Sequence, residues 1–412
     1  MKVFIRFLLA MSLLGILVLA ISCECPQPNI ESMNPSSGPG GTIVEVVYSG
    51  GGISGTVVFD GADVETRTAS NLGLGNILRF TVPYNATAGN KNVQVRSQGG
   101  TTPAVAFNVT GPGAVPIPAL DGFAISRADG SEITVFGANF STLSRVFIDG
   151  TEVDRYAGNS DPIRALPFDF VDNVIICQPA TNLNQGSSYN VQVTNPGGVN
   201  SNILNITVPD RVCRMEFDAL ENIPVPDYYV WQNNTVNTFR RTYTECGWII
   251  ELAYGDTAVV DPQAGSAFSY ADLYSFWQAN ANEPAAGYYM HGAFVTDGPA
   301  EAPRGVMFMN TGSVPSLPAA DFREGFACFW DDFAVYADRP QKYFRTTLHE
   351  AGHGFNLYHS DQSANQTVMT ATNILDAGWH CYFSNVSCTH LESHSLTDVA
   401  PGGTAFGART CH

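Results

Sequence analysis

Hydrophobic and polar positions follow two different rhythms along this chain. From about residue 29 to 208, short runs rich in β-branched residues are broken by Gly, Pro and Asn. That is the pattern of short strands joined by tight turns. After Val208-Pro209, Tyr and Trp become frequent and helix signals begin. Residues 269–280 predict a helix, with Ser269 as N-cap and Leu273, Phe276 and Trp277 on one face. Tyr288–Val295, residues 305–310 and Gly325–Phe329 predict strands. A second helix is predicted from Pro340, a first-turn proline, to about Phe355. Residues 374–412 are expected to have few regular elements.

The strand-rich half repeats itself. Gly41-Thr42-Ile43-Val44 precedes Val57-Val58-Phe59-Asp60-Gly61, and Gly130-Ser131-Glu132-Ile133 precedes Val146-Phe147-Ile148-Asp149-Gly150 at the same offset. Asn92-Val93-Gln94-Val95 recurs as Asn190-Val191-Gln192-Val193, each followed by a Gly-Gly pair. Two copies of one small antiparallel sandwich account for this. The second copy has a longer middle, expected as an extended loop over 154–169. Asn29-Ile30, then Pro35, Gly38 and Gly40-Gly41-Thr42, is similar to the immunoglobulin-like IPT/TIG module. The modules are assigned to residues 26–111 and 116–209, with residues 111–116 as linker. Their role is either to bind a cell-surface or extracellular ligand or to act as a spacer.

Composition narrows the function. The chain has 412 residues, 44% hydrophobic, 14% charged, with net charge −18. Nucleic acid is an unsuitable partner, because no basic patch offsets phosphate repulsion. Lys2 and Arg6 precede an apolar run from Phe7 to Ile21, too short to span a membrane comfortably. Residues 1–22 therefore read as a signal peptide. Its end, Leu19-Ala20-Ile21-Ser22-Cys23, resembles a bacterial lipobox. The resemblance implies a lipidated Cys23 and a surface lipoprotein, so that the membrane is met only through a lipid anchor; ordinary cleavage near Ser22 is the alternative. Nine cysteines, less a lipidated Cys23, leave up to four disulfides in an oxidising compartment. Connectivity stays open; Cys381 and Cys388 could close a short loop.

The chemistry concentrates in His349-Glu350-Ala351-Gly352-His353, followed by His359. Residues four apart share one helix face, so His349 and His353 can point at one metal. Catalytic zinc uses three protein ligands and leaves a position for water. Glu350 stands where it can reach that water. The chain must turn back before His359, and Asn356 is the expected helix stop, because asparagine enters the left-handed region at low cost.

This pattern resembles the metzincin zinc endopeptidases, whose motif is HExxHxxGxxH. Asn356 stands where the family has Gly, and His359-Ser360 is similar to matrixin sequences. The resemblance implies one catalytic Zn2+ held by His349, His353 and His359, with Glu350 as catalytic base. It also implies a Met-turn at Met369, within Thr367-Val368-Met369-Thr370. Some families carry Tyr two residues after that Met, but Ala371 stands there. The implied fold is multidomain: two immunoglobulin-like sandwiches, then an α+β metzincin-like domain over residues 211–412, whose strand at 305–309 pairs with an extended peptide. The implied activity is endopeptidase hydrolysis of a protein or peptide substrate at the cell surface or outside the cell. Nothing resembles a cysteine-switch propeptide, and calcium dependence stays open.

Rival assignments remain at this point. Glu392 could be a downstream carboxylate ligand of a gluzincin, and Asp361 could replace His359. His380, His390 and His394 are spare imidazoles. The chain could also be a surface adhesin with a structural or degenerate zinc site, or a non-peptide zinc hydrolase.

Overall fold

The computed structural model describes residues 26–50, 55–64, 66–69, 76–141, 144–155, 173–226, 230–232, 235–263, 266–282, 284, 286–299, 304–308, 323–359, 367–370 and 381–403. The signal segment, Cys23, Cys25, Asp361, Ala371, His380 and Cys411 lie outside the described residues, as does most of the loop expected at 154–169. The protein is rich in β structure and built from several sheets. It divides into two compact units, residues 1–116 with 141–143, and residues 117–140 with 144–412.

The first unit is a sandwich of two sheets. One runs Asn29–Asn34, Ile43–Ser49, Asn76–Thr81, Thr66–Ala69; the other runs Ser37–Gly38, Val105–Val109, Gly89–Ser97, Gly55–Phe59, Ala62–Asp63. Alternate residues turn inward, as a strand's two-residue period requires. Val44, Val46, Tyr48, Leu78 and Phe80 thereby share one core with Val57, Phe59, Val93, Val95 and Phe107.

The repeat seen in the sequence is a repeat in space. Asp60-Gly61 and Asp149-Gly150 are two-residue hairpin turns, closing Phe59 on Ala62 and Ile148 on Thr151. All four turn residues have positive φ, the requirement of the turn that matches strand twist. Thr102 Oγ1 accepts from Val95 N at 3.0 Å, and Ser201 Oγ accepts from Val193 N at 2.9 Å. Among the described residues the copies differ in that Ser37–Gly38 has no counterpart strand in the second, and in the course of one further strand. In the second, Thr151–Arg155 pairs with both Arg145–Ile148 and Val174–Gln178 and joins the two halves into one sheet. In the first, the corresponding run is split, Ala62–Asp63 joining one sheet and Thr66–Ala69 the other.

The C-terminal half opens with strand β1 (Arg211–Ala219), helix α1 (Phe239–Thr244), β2 (Trp248–Tyr254), α2 (Tyr270–Asn280) and β3 (Tyr288–Val295). It continues with β4 (Gly305–Met307), β5 (Gly325–Phe329), α3 (Arg339–Gly354), α4 (Asn385–Ser393) and α5 (Leu396–Val399). Its sheet has the order β2-β1-β3-β5-β4. The first four strands are parallel, and β4 is the antiparallel edge. Helix α2 begins at Ser269, which forms a capping box with Asp272, and buries Leu273, Phe276 and Trp277 as expected. Full burial of such side chains contributes about 1.5–3 kcal/mol each. The strand expected at 305–310 ends at Met307.

Charges are buried in this sheet, each with a partner. Glu216 on β1 accepts from Tyr289 Oη at 2.7 Å and from Asn282 N at 2.8 Å, and Asp218 lies 2.6 Å from His291 Nε2. The second sandwich packs on the same half. Ile249 of β2 lies in the sandwich core. Arg241 of α1 donates to the Asp121 carbonyl at 3.1 Å and stacks over Phe136. Ala128 N donates to Glu251 at 2.8 Å.

The short loop between Cys381 and Cys388 needs correction. Cys388 on α4 is bonded to Cys246, 142 residues earlier, just after α1. Cys381 is buried and outside any disulfide, as are Cys177, Cys213 and Cys328. Folding carries the partner from a distant segment, which no local spacing records.

Candidate metal centre

Helix α3 packs on the sheet and carries the motif. Pro340 sits in its first turn, where a missing N–H has no cost. At its other end the chain leaves through Asn356, at φ 61°. Asn356 N donates to His353 O at 2.9 Å and Leu357 N to Gly352 O at 3.1 Å. This pair of bonds is the Schellman closure, with asparagine in the left-handed position usually held by glycine. Asn356 Nδ2 also donates to the Asp398 carbonyl of α5 at 2.8 Å. Arg323 fixes the same end, donating to Gly354 O at 2.8 Å and Val399 O at 3.1 Å.

The reversal brings three imidazoles together. His349 Nε2 lies 3.0 Å from His359 Nε2, and His353 Nε2 lies 3.1 Å from each of the other two. His349 is buried, His353 half-buried and His359 exposed, so the cluster opens to solvent on one side. His349 Nδ1 lies 2.7 Å from Val368 O, and His353 Nδ1 lies 2.7 Å from Leu357 O. A carbonyl only accepts, so both Nδ1 atoms carry the proton and both Nε2 atoms present lone pairs. Converging lone pairs repel one another unless a cation lies among them. Tetrahedral zinc, with bonds of about 2.0–2.1 Å, needs nitrogens about 3.3 Å apart. The observed spacing is within a few tenths of that, so the donor set fits the ion. Carbonyl partners on the far ring nitrogens are what ligating histidines use to fix tautomer and orientation.

Electrostatics favour neutral imidazoles. Burial, then His353 and Arg345, holds His349 well below the usual histidine range. Burial, then His359, pushes His353 down to about 4. Glu350 moves the other way: burial raises its carboxyl to about 8, against the pull of Arg345 and of a hydrogen bond from the Met307 backbone. Strand β4 lies directly on Glu350. A Cβ on Gly305 would stand 2.8 Å from Glu350 Cγ and 2.9 Å from Thr346 Cγ2, so this approach requires glycine.

Met369 is fully buried beneath the helix; a Cβ on Gly352 would meet its sulfur at 2.5 Å. Residues 367–370 form a turn closed by Thr370 N on Thr367 O at 3.1 Å. The structure thus brings His349, Glu350, His353, His359 and Met369 into one locality. Among the described residues, these three histidines are the group arranged to hold a metal, and Glu392, His390 and His394 are not part of it. His390 and His394 instead face each other on α4 and just beyond it, ring centroids 4.1 Å apart.

The sequence reading missed Arg345, Gly305 and the carbonyls of Val368 and Leu357. Carbonyls leave no trace in side-chain identity. Arg345 did leave one: it stands four residues before His349, on the ligand face of the helix.

No family model matches this chain, and no curated protein matches it. Solved structures resemble parts of it weakly. The extracellular region of plexin A4 aligns at 15% identity over 46% of this chain and 18% of that one, with TM-score 0.20. A protein described as SGBP-B from a xyloglucan utilization locus of Bacteroides uniformis aligns at 16% over 44% and 49%, with TM-score 0.18. A gamma-CGTase from alkalophilic Bacillus clarkii aligns at 15% over 46% and 27%, with TM-score 0.18. The chain spans less than half the length of each, and likenesses this weak carry no argument about its fold or function.

Proposed function

We propose that this protein is a zinc-dependent endopeptidase of metzincin type. The observation that carries the reading is the triangle of His349, His353 and His359 Nε2 atoms, with two far nitrogens locked on carbonyls and Glu350 adjacent. Zinc held there supplies Lewis acidity toward a water and a scissile carbonyl. Glu350 takes a proton from the attacking water and returns it to the departing amine. Strand β4, antiparallel at the sheet edge beside Glu350, supports an extended peptide as substrate. Structural zinc takes four protein ligands, whereas among the described residues three converge here.

The proposed location is outside the cell, at a bacterial surface, with a lipid anchor at Cys23. The apolar segment from Phe7 to Ile21 and the Cys246–Cys388 disulfide support export to an oxidising compartment. Among the described residues no helix is long and apolar enough to cross a membrane. The two sandwiches are proposed to bind an extracellular ligand or to space the enzyme from the surface.

The test pairs zinc content with casein cleavage, for the wild type and Glu350→Gln. One zinc in both, with cleavage by the wild type alone, is the expected result. Undiminished cleavage by the variant, or a wild type that takes up no zinc, would end this assignment. Zinc in both proteins with cleavage by neither would favour a surface binding protein.

A further inference from the structure

Arg345 is fully buried in α3, one turn before His349. Its Nη2 donates to Val368 O at 3.0 Å and Thr367 O at 3.4 Å, and reaches Thr370 O as well. One nitrogen therefore gathers the carbonyls of the turn that carries Met369. One of those carbonyls, Val368 O, also accepts from His349 Nδ1. Arginine, turn and first histidine form a single relay, and the two ends of the relay lie on the same helix. The remaining donors, Nε and Nη1, have no partner among the described residues. A buried guanidinium whose donors the described residues fill only in part is a costly way to stabilise a fold, and an apolar residue of similar volume commonly does so better. The cost calls for a role other than packing.

We propose that Arg345 is a positioning residue for the metal centre: it holds the 367–370 turn so that the Val368 carbonyl fixes the tautomer and ring plane of His349. The inference rests on the zinc reading and adds a determinant to it. Partners of this kind on ligating histidines typically govern metal affinity by tenfold to a hundredfold. Arginine does this where lysine does not. Its rigid planar guanidinium holds Nη2 among the turn carbonyls, whereas an ammonium is a point charge on a flexible stem.

The experiment measures zinc affinity by chelator competition on the full chain, for the wild type, Arg345→Lys and Arg345→Gln. Two further readouts accompany it: the visible spectrum of the cobalt-loaded protein and the downfield Nδ1–H proton resonance of His349. The expected result is a Kd raised tenfold to a hundredfold in both variants, an altered cobalt spectrum, and a shifted or faster-exchanging His349 proton. A residue that merely fills space would leave the spectrum and that proton unchanged. Unchanged Kd and spectrum in folded variants overturn the inference and leave the zinc reading intact. A wild type that binds no zinc overturns both. Failure of both variants to fold also overturns it, because positioning would then be inseparable from general stability.

Discussion

Replacing Asn356 tests how the helix end delivers its third histidine. The residue has φ 61°, is 3% exposed, and donates to Asp398 O at 2.8 Å. Asn356→Ala forces a Cβ-bearing residue without a local hydrogen bond into the left-handed region, at about 1–2 kcal/mol. It also loses the bond to Asp398, worth about 0.5–1.5 kcal/mol. The total is about 2–3 kcal/mol. Asn356→Gly restores the residue usual in the motif and relieves little strain, because asparagine already enters the left-handed region at low cost. It still loses the Asp398 bond, and it loosens the unfolded chain by about 0.4–1 kcal/mol. Its total is about 1–2 kcal/mol, so the substitution that brings the sequence nearer the family pattern is expected to destabilise this protein. Denaturant midpoints of the metal-free chain should rank wild type, then Gly, then Ala. Zinc affinity should fall in the same order, because Leu357 O, the partner of His353 Nδ1, and His359 both follow the reversal. A glycine variant at least as stable as the wild type would show that the Asp398 bond contributes nothing. An alanine variant no worse than glycine would refute the left-handed argument altogether.

Two more outcomes follow from the site. Gly305→Ala should lower turnover about tenfold or more while leaving zinc bound, since overpacking costs about 1–3 kcal/mol and 1.4 kcal/mol is tenfold; the new Cβ falls on Glu350 Cγ, 2.8 Å away. Unchanged kcat would mean that β4 does not govern the glutamate. In chelator-treated protein, stability should peak near pH 6.5. Below 6.5 the unfolded state protonates His349 and His353, which the folded state resists down to about 4 for His353, while Glu350, raised from 4.5 to about 8, keeps its proton in the folded state. Between 4.5 and 6.5 the unfolded chain thus holds about one proton more, and stability rises by about 1.4 kcal/mol per pH unit. Between 6.5 and 8 it holds about one fewer, and stability declines. Thermal melts across pH 4.5–8 check the sign on each side, and a monotonic curve would contradict it.

How much of this was legible depended on the range of the interaction involved. Ser269, Asn356 and Pro340 act within a few residues, so their roles could be read from order alone, and the structure places a cap, a helix stop and a first-turn proline at them. The three histidines were legible because a metal motif is itself a local spacing. Strand β1 was not. Its sequence, Arg211–Ala219, interleaves Arg214, Glu216 and Asp218 with apolar residues, a pattern that suggests a water-facing side. Glu216 and Asp218 are buried because Tyr289, Asn282 and His291 satisfy them from about seventy residues away. The Cys246 partner of Cys388 and the carbonyls gathered by Arg345 are hidden for the same reason: each is fixed by the folded path and not by spacing.

The position of Ile249 bears on how the C-terminal half could travel between genes. A side chain from the C-terminal half completes the core of the neighbouring sandwich, and Arg241 and Glu251 fasten the two together. Cutting the chain at Asp210 would strand that isoleucine in water and open the sandwich. The smallest heritable cassette carrying the histidine triad therefore begins near Ile117, and recombination that moves the triad must carry its sandwich as well.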